Sequence, residues 1–158
     1  MSLTWTPASG SVSLETNTRT VVQCLVESPA FLPKRQYPTD AGADLMSTQD
    51  VDIYPDEQKM IDTGVGVKIP KGFAGFVFNR SGQGKQGIIL PNSVGVIDSD
   101  YRGTIKVPLR NLSDSPYKIK RGDRIAQLVI IPVVLAEFVD HWNDTQRGTG
   151  SFGSTGQT

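Results

Sequence analysis

Gln58-Lys59-Met60-Ile61-Asp62-Thr63-Gly64-Val65-Gly66-Val67-Lys68-Ile69, followed after Pro70-Lys71-Gly72 by Phe73-Ala74-Gly75-Phe76-Val77-Phe78, decides the fold class of this chain of 158 residues. Val, Ile and Phe dominate both runs and turn-forming residues divide them, a composition suited to a pleated, half-buried surface. The pattern continues outward in both directions. Upstream lies Val21 to Val26; downstream come Ile88 to Leu90, Thr104 to Leu109, Arg124 to Ile131 and Val133 to Val139, most with Gly, Pro, Asn or Asp at their ends. No window of about twelve residues keeps an uninterrupted helical period, although Gly82 to Gly87 has room for a turn or two of helix. The chain is expected to be all-β. Periodicity alone leaves sandwich, jelly roll and barrel open.

Composition sets further bounds. The length suits one domain with a real core. Sixteen Lys and Arg balance sixteen Asp and Glu, so there is no broad positive field for non-specific nucleic-acid binding, and an anion site must be local. Cys24 is the single cysteine, which excludes an intrachain disulfide; within Val21 to Val26 it reads as a buried, inert thiol. His141, the single histidine, has no neighbouring Cys or second His to complete a zinc set. No basic segment followed by an apolar block opens the chain, and no window nears the roughly 18 apolar residues of a membrane helix. A soluble intracellular protein is expected, cytoplasmic by default with nucleus or organelle open, and with neither membrane nor nucleic acid as partner.

Three segments are expected. Residues 1–19 are rich in Ser and Thr and read as an arm: a tag remnant, a disordered stretch or a peripheral strand. Residues 20–142 form the β domain. Residues 143–158 contain Arg147-Gly148-Thr149-Gly150-Ser151-Phe152-Gly153-Ser154-Thr155-Gly156, which has almost nothing to anchor in a core and is expected to be mobile. Ordering it costs about 1 to 2 kcal/mol of backbone entropy per residue, so it should order only against a ligand. Phosphate suits it, because glycine lets successive N–H groups converge on an anion and Arg147 adds charge.

Chemistry concentrates in Gly95-Val96-Ile97-Asp98-Ser99-Asp100-Tyr101-Arg102-Gly103, which sets two carboxylates, a phenol and a guanidinium between apolar runs. Cleaving a phosphoanhydride calls for a carboxylate that orients water. Asp98 is the candidate.

An aspartate in a loop is usually a turn former, and a Gly-Ser tail is usually a linker. Their order with three other segments changes the reading. Ala41-Gly42-Ala43-Asp44-Leu45, Arg80-Ser81-Gly82, Asn92 through Gly103, Gly122-Asp123-Arg124-Ile125-Ala126-Gln127-Leu128 and Arg147 through Gly156 resemble, in sequence order, the five motifs of the trimeric dUTPase family. That resemblance covers roughly 40–156. It implies a jelly-roll (β-clip-like) subunit of a homotrimer with shared active sites and a glycine-rich C-terminal arm, hydrolysing dUTP to dUMP and pyrophosphate by attack of water at the α-phosphorus. Such an activity limits uracil in DNA and supplies dUMP.

The resemblance also implies roles. Asp98 orients the attacking water. Tyr101 lies under the deoxyribose and rejects ribonucleotides, and the hairpin opened by Asn92 reads uracil through main-chain groups. Arg80, Ser81, Gly82 and Gln127 meet the phosphates, while Asp123 and Arg124 pair structurally between subunits. Asn79 stands where many relatives have Pro, which loosens the entry to the Arg80 turn. From the arm, Phe152 stacks on uracil, and Arg147 with the amides around Gly153 and Ser154 clamps the γ-phosphate as a lid. Mg²⁺ is the implied cofactor, bound mainly by substrate phosphates with no direct protein ligand, Asp44 reaching it through water.

Two other readings share this scaffold. A dCTP deaminase shares the fold but needs a glutamate near the pyrimidine, and Thr104-Ile105-Lys106-Val107-Pro108 supplies none. A regulatory or binding protein on the same scaffold is compatible with retained catalysis.

Overall fold

The computed structural model describes residues 20–141 and Asn143. Its strands are β1 (Gln23–Val26), β2 (Ala43–Met46), β3 (Val51–Ile53), β4 (Gln58–Lys68), β5 (Phe73–Phe78), β6 (Ile88–Ile89), β7 (Gly95–Ile97), β8 (Thr104–Asn111), β9 (Tyr117–Ile119) and β10 (Arg124–Pro132). One sheet has the order β1-β4-β8-β6, a second β2-β10-β5-β7, and β3 pairs with β9 alone. All of these pairings are antiparallel. Both larger sheets mix strands distant in sequence, the arrangement of a jelly roll.

Alternation builds the core. Along β8, Ile105, Val107 and Leu109 are buried while Thr104, Lys106 and Arg110 face outward, the period of two that a half-buried strand requires. Ile61, Val65 and Val67 of β4 join them, and Leu45, Val77, Ile125, Ala126 and Leu128 pack from the second sheet. In β4 the register slips between Asp62 and Gly66. Gly64 takes φ +64° there, and its N–H donates to Asp62 Oδ1 at 2.8 Å. Only glycine accepts that backbone readily.

Asn111, fully buried at the end of β8, is the polar knot of the core. Its Nδ2 donates to the carbonyls of Ile53 (2.9 Å) and Ser115 (2.8 Å), and its Oδ1 accepts from the N–H (2.9 Å) and hydroxyl (2.7 Å) of Ser113. Full satisfaction of this kind lets an amide sit in an apolar core.

Helix is scarce among the described residues: a 3-10 turn at Pro29–Phe31 and α1 (Ser81–Lys85), the latter overlapping the predicted Gly82 to Gly87 stretch but starting one residue earlier. No described helix is long and apolar enough to cross a membrane. Two expectations are corrected. The apolar run Val133 to Val139 carries no strand: β10 ends at Pro132, one last backbone bond runs from the Val133 N–H to the Gly72 carbonyl at 2.9 Å, and Val134, Leu135, Phe138 and Val139 are exposed beyond it. Cys24 is half-buried rather than enclosed, and that burial still pushes its thiol pKa up. His141 lies on the surface, its Nδ1 3.7 Å from Asp140. The arm predicted for residues 1–19, all of the arm predicted for 143–158 except Asn143, and Trp142 lie outside the described residues.

Candidate active site

Three of the singled-out segments converge at one end of the second sheet. Gln127 of β10 is in register with Asp44 of β2 on one side and Phe78 of β5 on the other, and residues paired across antiparallel strands project to the same face. Two residues beyond Phe78, Arg80 precedes α1. The Arg80 Nε donates to Asp44 Oδ1 at 3.0 Å, and Arg124 Nη1 donates to Asp44 Oδ2 at 3.3 Å. A further bond of 3.3 Å runs from Arg80 Nη1 to the Arg124 carbonyl. Asp44 is 9% exposed and thus carries two guanidiniums on one buried carboxylate. Gly42 belongs to the same device: a Cβ there would stand 3.0 Å from Gln127 Cβ, so a side chain would force the strands apart.

Ser81 and Gly82 are exposed in the first turn of α1, where backbone N–H groups have no intrahelical acceptor. Gln83 N and Gly84 N close the turn onto the Arg80 carbonyl at 3.1 and 3.0 Å. The hydroxyl and amides thus face outward beside Arg80.

The second group is the loop between β7 and β8. Asn92 is exposed in a turn whose Ser93 N–H donates to the Leu90 carbonyl at 3.0 Å, with Ser93 at φ +62°. After β7, the Tyr101 N–H donates to the Asp98 carbonyl at 3.2 Å, and Arg102 Nη1 donates to the carbonyls of Ser99 (2.8 Å) and Tyr101 (2.7 Å). Tyr101 folds back so that its hydroxyl donates to the Thr104 carbonyl at 3.1 Å. Gly103 makes the fold-back possible: any Cβ would collide with the Tyr101 hydroxyl and stand 2.7 Å from its Cζ. The Asp98 side chain is exposed and lines a groove of about 940 Å³ with Lys68, Lys71 and Arg102.

The fold holds these two groups apart. Ile97 pairs with Gly75 near the start of β5, which sets Asp98 opposite Ala74, whereas Arg80 lies beyond the far end of the same strand. Six residues of extended chain separate the two positions, about 20 Å at ~3.3 Å per residue. Arg147, Phe152, Gly153 and Ser154 lie outside the described residues.

Sequence reasoning read Arg124 with Asp123 as a bridge between subunits. Within this chain Arg124 bonds Asp44, and Asp123 Oδ2 accepts from the Lys120 N–H at 2.8 Å; a pairing between subunits lies outside a single chain. Lys68 and Lys71 of the Asp98 groove were not singled out, since no local pattern marks them. Among the described residues no three His, Cys, Asp or Glu side chains cluster as a metal cage. Asp44, both of whose oxygens face guanidiniums, suits a hydrated ion held mainly by phosphate oxygens better than direct coordination.

Comparison with known proteins bears on all of this. The dUTPase family model matches residues 28–156. The deoxyuridine 5'-triphosphate nucleotidohydrolase of Cutibacterium acnes is 47% identical over 140 residues, spanning 86% of this chain and 92% of that protein. That of Nautilia profundicola is 49% identical over 131 residues, spanning 81% and 92%. Among solved structures, a mutant dUTPase of Staphylococcus bacteriophage 80alpha with dUpNHpp superposes with a TM-score of 0.75 at 30% identity, covering 90% of this chain and all of that one. A dUTPase from phage phi11 of S. aureus, whose structure describes coordination of a structural Mg(II) ion, gives 0.70 at 28% identity, covering 78% and 97%. A match over most of the length, with the motif residues gathered on a jelly roll, leaves one assignment: the chain belongs to the dUTPase family.

Proposed function

We propose that Asp98 orients the water with which this dUTPase converts dUTP to dUMP and pyrophosphate, attack falling on the α-phosphorus. The observation that supports the phosphate-binding half of the reading is the convergence of Asp44, Arg80, Arg124 and Gln127, from segments far apart in sequence, at one end of a sheet, and Asp98 stands exposed in a groove lined by Lys68, Lys71 and Arg102. Arg80, Ser81, Gly82 and Gln127 take the polyphosphate there, the guanidinium supplying charge and the first turn of α1 supplying a hydroxyl and free amides. The turn at Asn92 presents backbone groups to uracil, and the Tyr101 ring, held over Gly103, fills the space that a 2′-hydroxyl would need. Arg147, Phe152, Gly153 and Ser154 close over the nucleotide as a lid.

Mg²⁺, when bound, neutralises the polyphosphate and aligns its α-phosphate. Asp44 would meet its water shell, and the substrate phosphates would supply the direct ligands.

A homotrimer completes the site. A water-orienting carboxylate must stand within hydrogen-bond reach of its water, so Asp98 and Arg80 of one chain, about 20 Å apart along β5 at ~3.3 Å per residue, cannot serve one substrate. Each chain contributes one half to a neighbour. Apolar surface supports this: Val96, Phe76 and Val129 form a partly exposed row across the outer face of the second sheet, and Phe138 is 95% exposed beyond β10. A cytoplasmic location suits a substrate that is an intracellular nucleotide.

Pyrophosphate release from dUTP, dTTP, dCTP and UTP, with Mg²⁺ and with chelator, tests the function. Release from dUTP alone, abolished by chelator, is expected; silence on all four from folded protein refutes the reading. Co-assembling inactive Asp98→Asn and Arg80→Ala chains should restore part of the activity, since some hybrid sites receive both native groups. Hybrids as silent as their parents would contradict sharing.

A further inference from the structure

We propose that Asp44 is a built-in competitor for pyrophosphate: it occupies the guanidiniums of Arg80 and Arg124, weakens their hold on the product and so speeds its release. The inference rests on the reading that the polyphosphate meets Arg80.

Arg80, Arg124 and Asp44 form one ion-paired cluster of one net positive charge, where the arginines alone would present two; Asp123 also lines the pocket that holds the two arginines. The Asp44 carboxylate divides itself, Oδ1 on Arg80 Nε at 3.0 Å and Oδ2 on Arg124 Nη1 at 3.3 Å. Arg80 also gives an Nη1 hydrogen to the Arg124 carbonyl, so two of the five N–H groups of its guanidinium are committed before any ligand arrives. The backbone that carries the carboxylate is fixed, and its two oxygens are held by the two guanidiniums. Asp44 sits within β2, in register with Gln127, and its own N–H donates to the Lys34 carbonyl at 2.8 Å. An arriving phosphate must therefore share Arg80 with a fixed, largely buried anion, and like charges at such range repel in a medium less screening than water.

Substrate and product differ in what they can set against that repulsion. Intact dUTP adds contacts through base, sugar and α-phosphate; pyrophosphate has only the charged end. A fixed anion beside Arg80 therefore removes a larger share of the product's affinity than of the substrate's, which favours turnover.

Calorimetric titration of inorganic pyrophosphate into the full-length protein tests this, with and without Mg²⁺, because it reads binding and not catalysis. Asp44→Asn should bind pyrophosphate about tenfold tighter under both conditions. A positioning role alone, or a role in the metal's water shell alone, predicts equal or weaker binding, and either result overturns the proposal. Arg124→Gln leaves the carboxylate bearing on Arg80 only and should bind about tenfold more weakly. The double variant Asp44→Asn with Arg124→Gln restores the original net charge and should return close to wild type, which keeps the proposal testable if Asp44→Asn does not fold. A double variant as weak as Arg124→Gln overturns it. Wild-type protein that ignores pyrophosphate would instead sink the phosphate-site reading itself.

Discussion

Where Asp44, Arg80, Arg124 and Gln127 meet, charged side chains are locked to one another on paired strands, whereas the Asp98–Gly103 loop is held by its own backbone and by a tyrosine ring folded over a glycine. The first region spends its charge internally; the second leaves its carboxylate exposed. The contrast follows from the tasks. Gripping a polyanion requires guanidiniums in fixed orientation, which a buried counter-charge provides. Orienting water requires an acceptor whose lone pairs are free, so the loop is stiffened through carbonyls and not through Asp98.

The sharpest way to break the comparison is Asp98→Asn. Turnover should fall at least about a hundredfold, the usual contribution of a positioned base, with nucleotide binding kept. An unchanged rate would end Asp98's part in it. A smaller effect is expected from Gly103→Ala, whose methyl must displace the Tyr101 ring. Here kcat/KM for dUTP should drop several-fold and the preference for dUTP over UTP should narrow, with Tm within a few degrees of wild type; an unaltered preference would detach the ring from sugar selection.

Least affected should be Asp50→Asn, which touches neither region directly and bonds to Lys120 and Arg121. The Arg121 N–H at 2.8 Å, then Lys120, holds the Asp50 carboxyl below its ordinary value of 3.8. A depressed folded pKa stabilises the protein in full above the unfolded value, and that stabilisation is lost as pH falls through the folded one. Asp50→Asn should therefore flatten the acid limb of a Tm-against-pH curve below about pH 4 while leaving activity at neutral pH alone. A changed neutral rate would show that the charge network at Asp50 reaches the site.

The long strands were legible because period and length agree: β4, β5, β8 and β10 are runs that any half-buried strand would show. β2, β3, β7 and β9, at three or four residues each, carry no measurable period, and it is their partners that make them strands. Val133 to Val139 misled for the opposite reason, having strand composition but, among the described residues, no strand pairing beyond the single bond from the Val133 N–H to the Gly72 carbonyl. Motif order exposed Asp98, Arg80 and Gln127. It could not expose the Arg124–Asp44 contact, which spans 80 residues and exists only once β10 lies beside β2.

Gly103 has an evolutionary consequence. Selection acting on what the Tyr101 ring touches need not touch Tyr101: every single-step replacement of the glycine adds at least one carbon where the ring now lies. The neighbour without a side chain is therefore as confining as the aromatic itself. Under the sugar-sensing role proposed for Tyr101, a lineage drifting toward a new sugar preference has two doors, and only one of them is visible in a catalogue of chemically active residues.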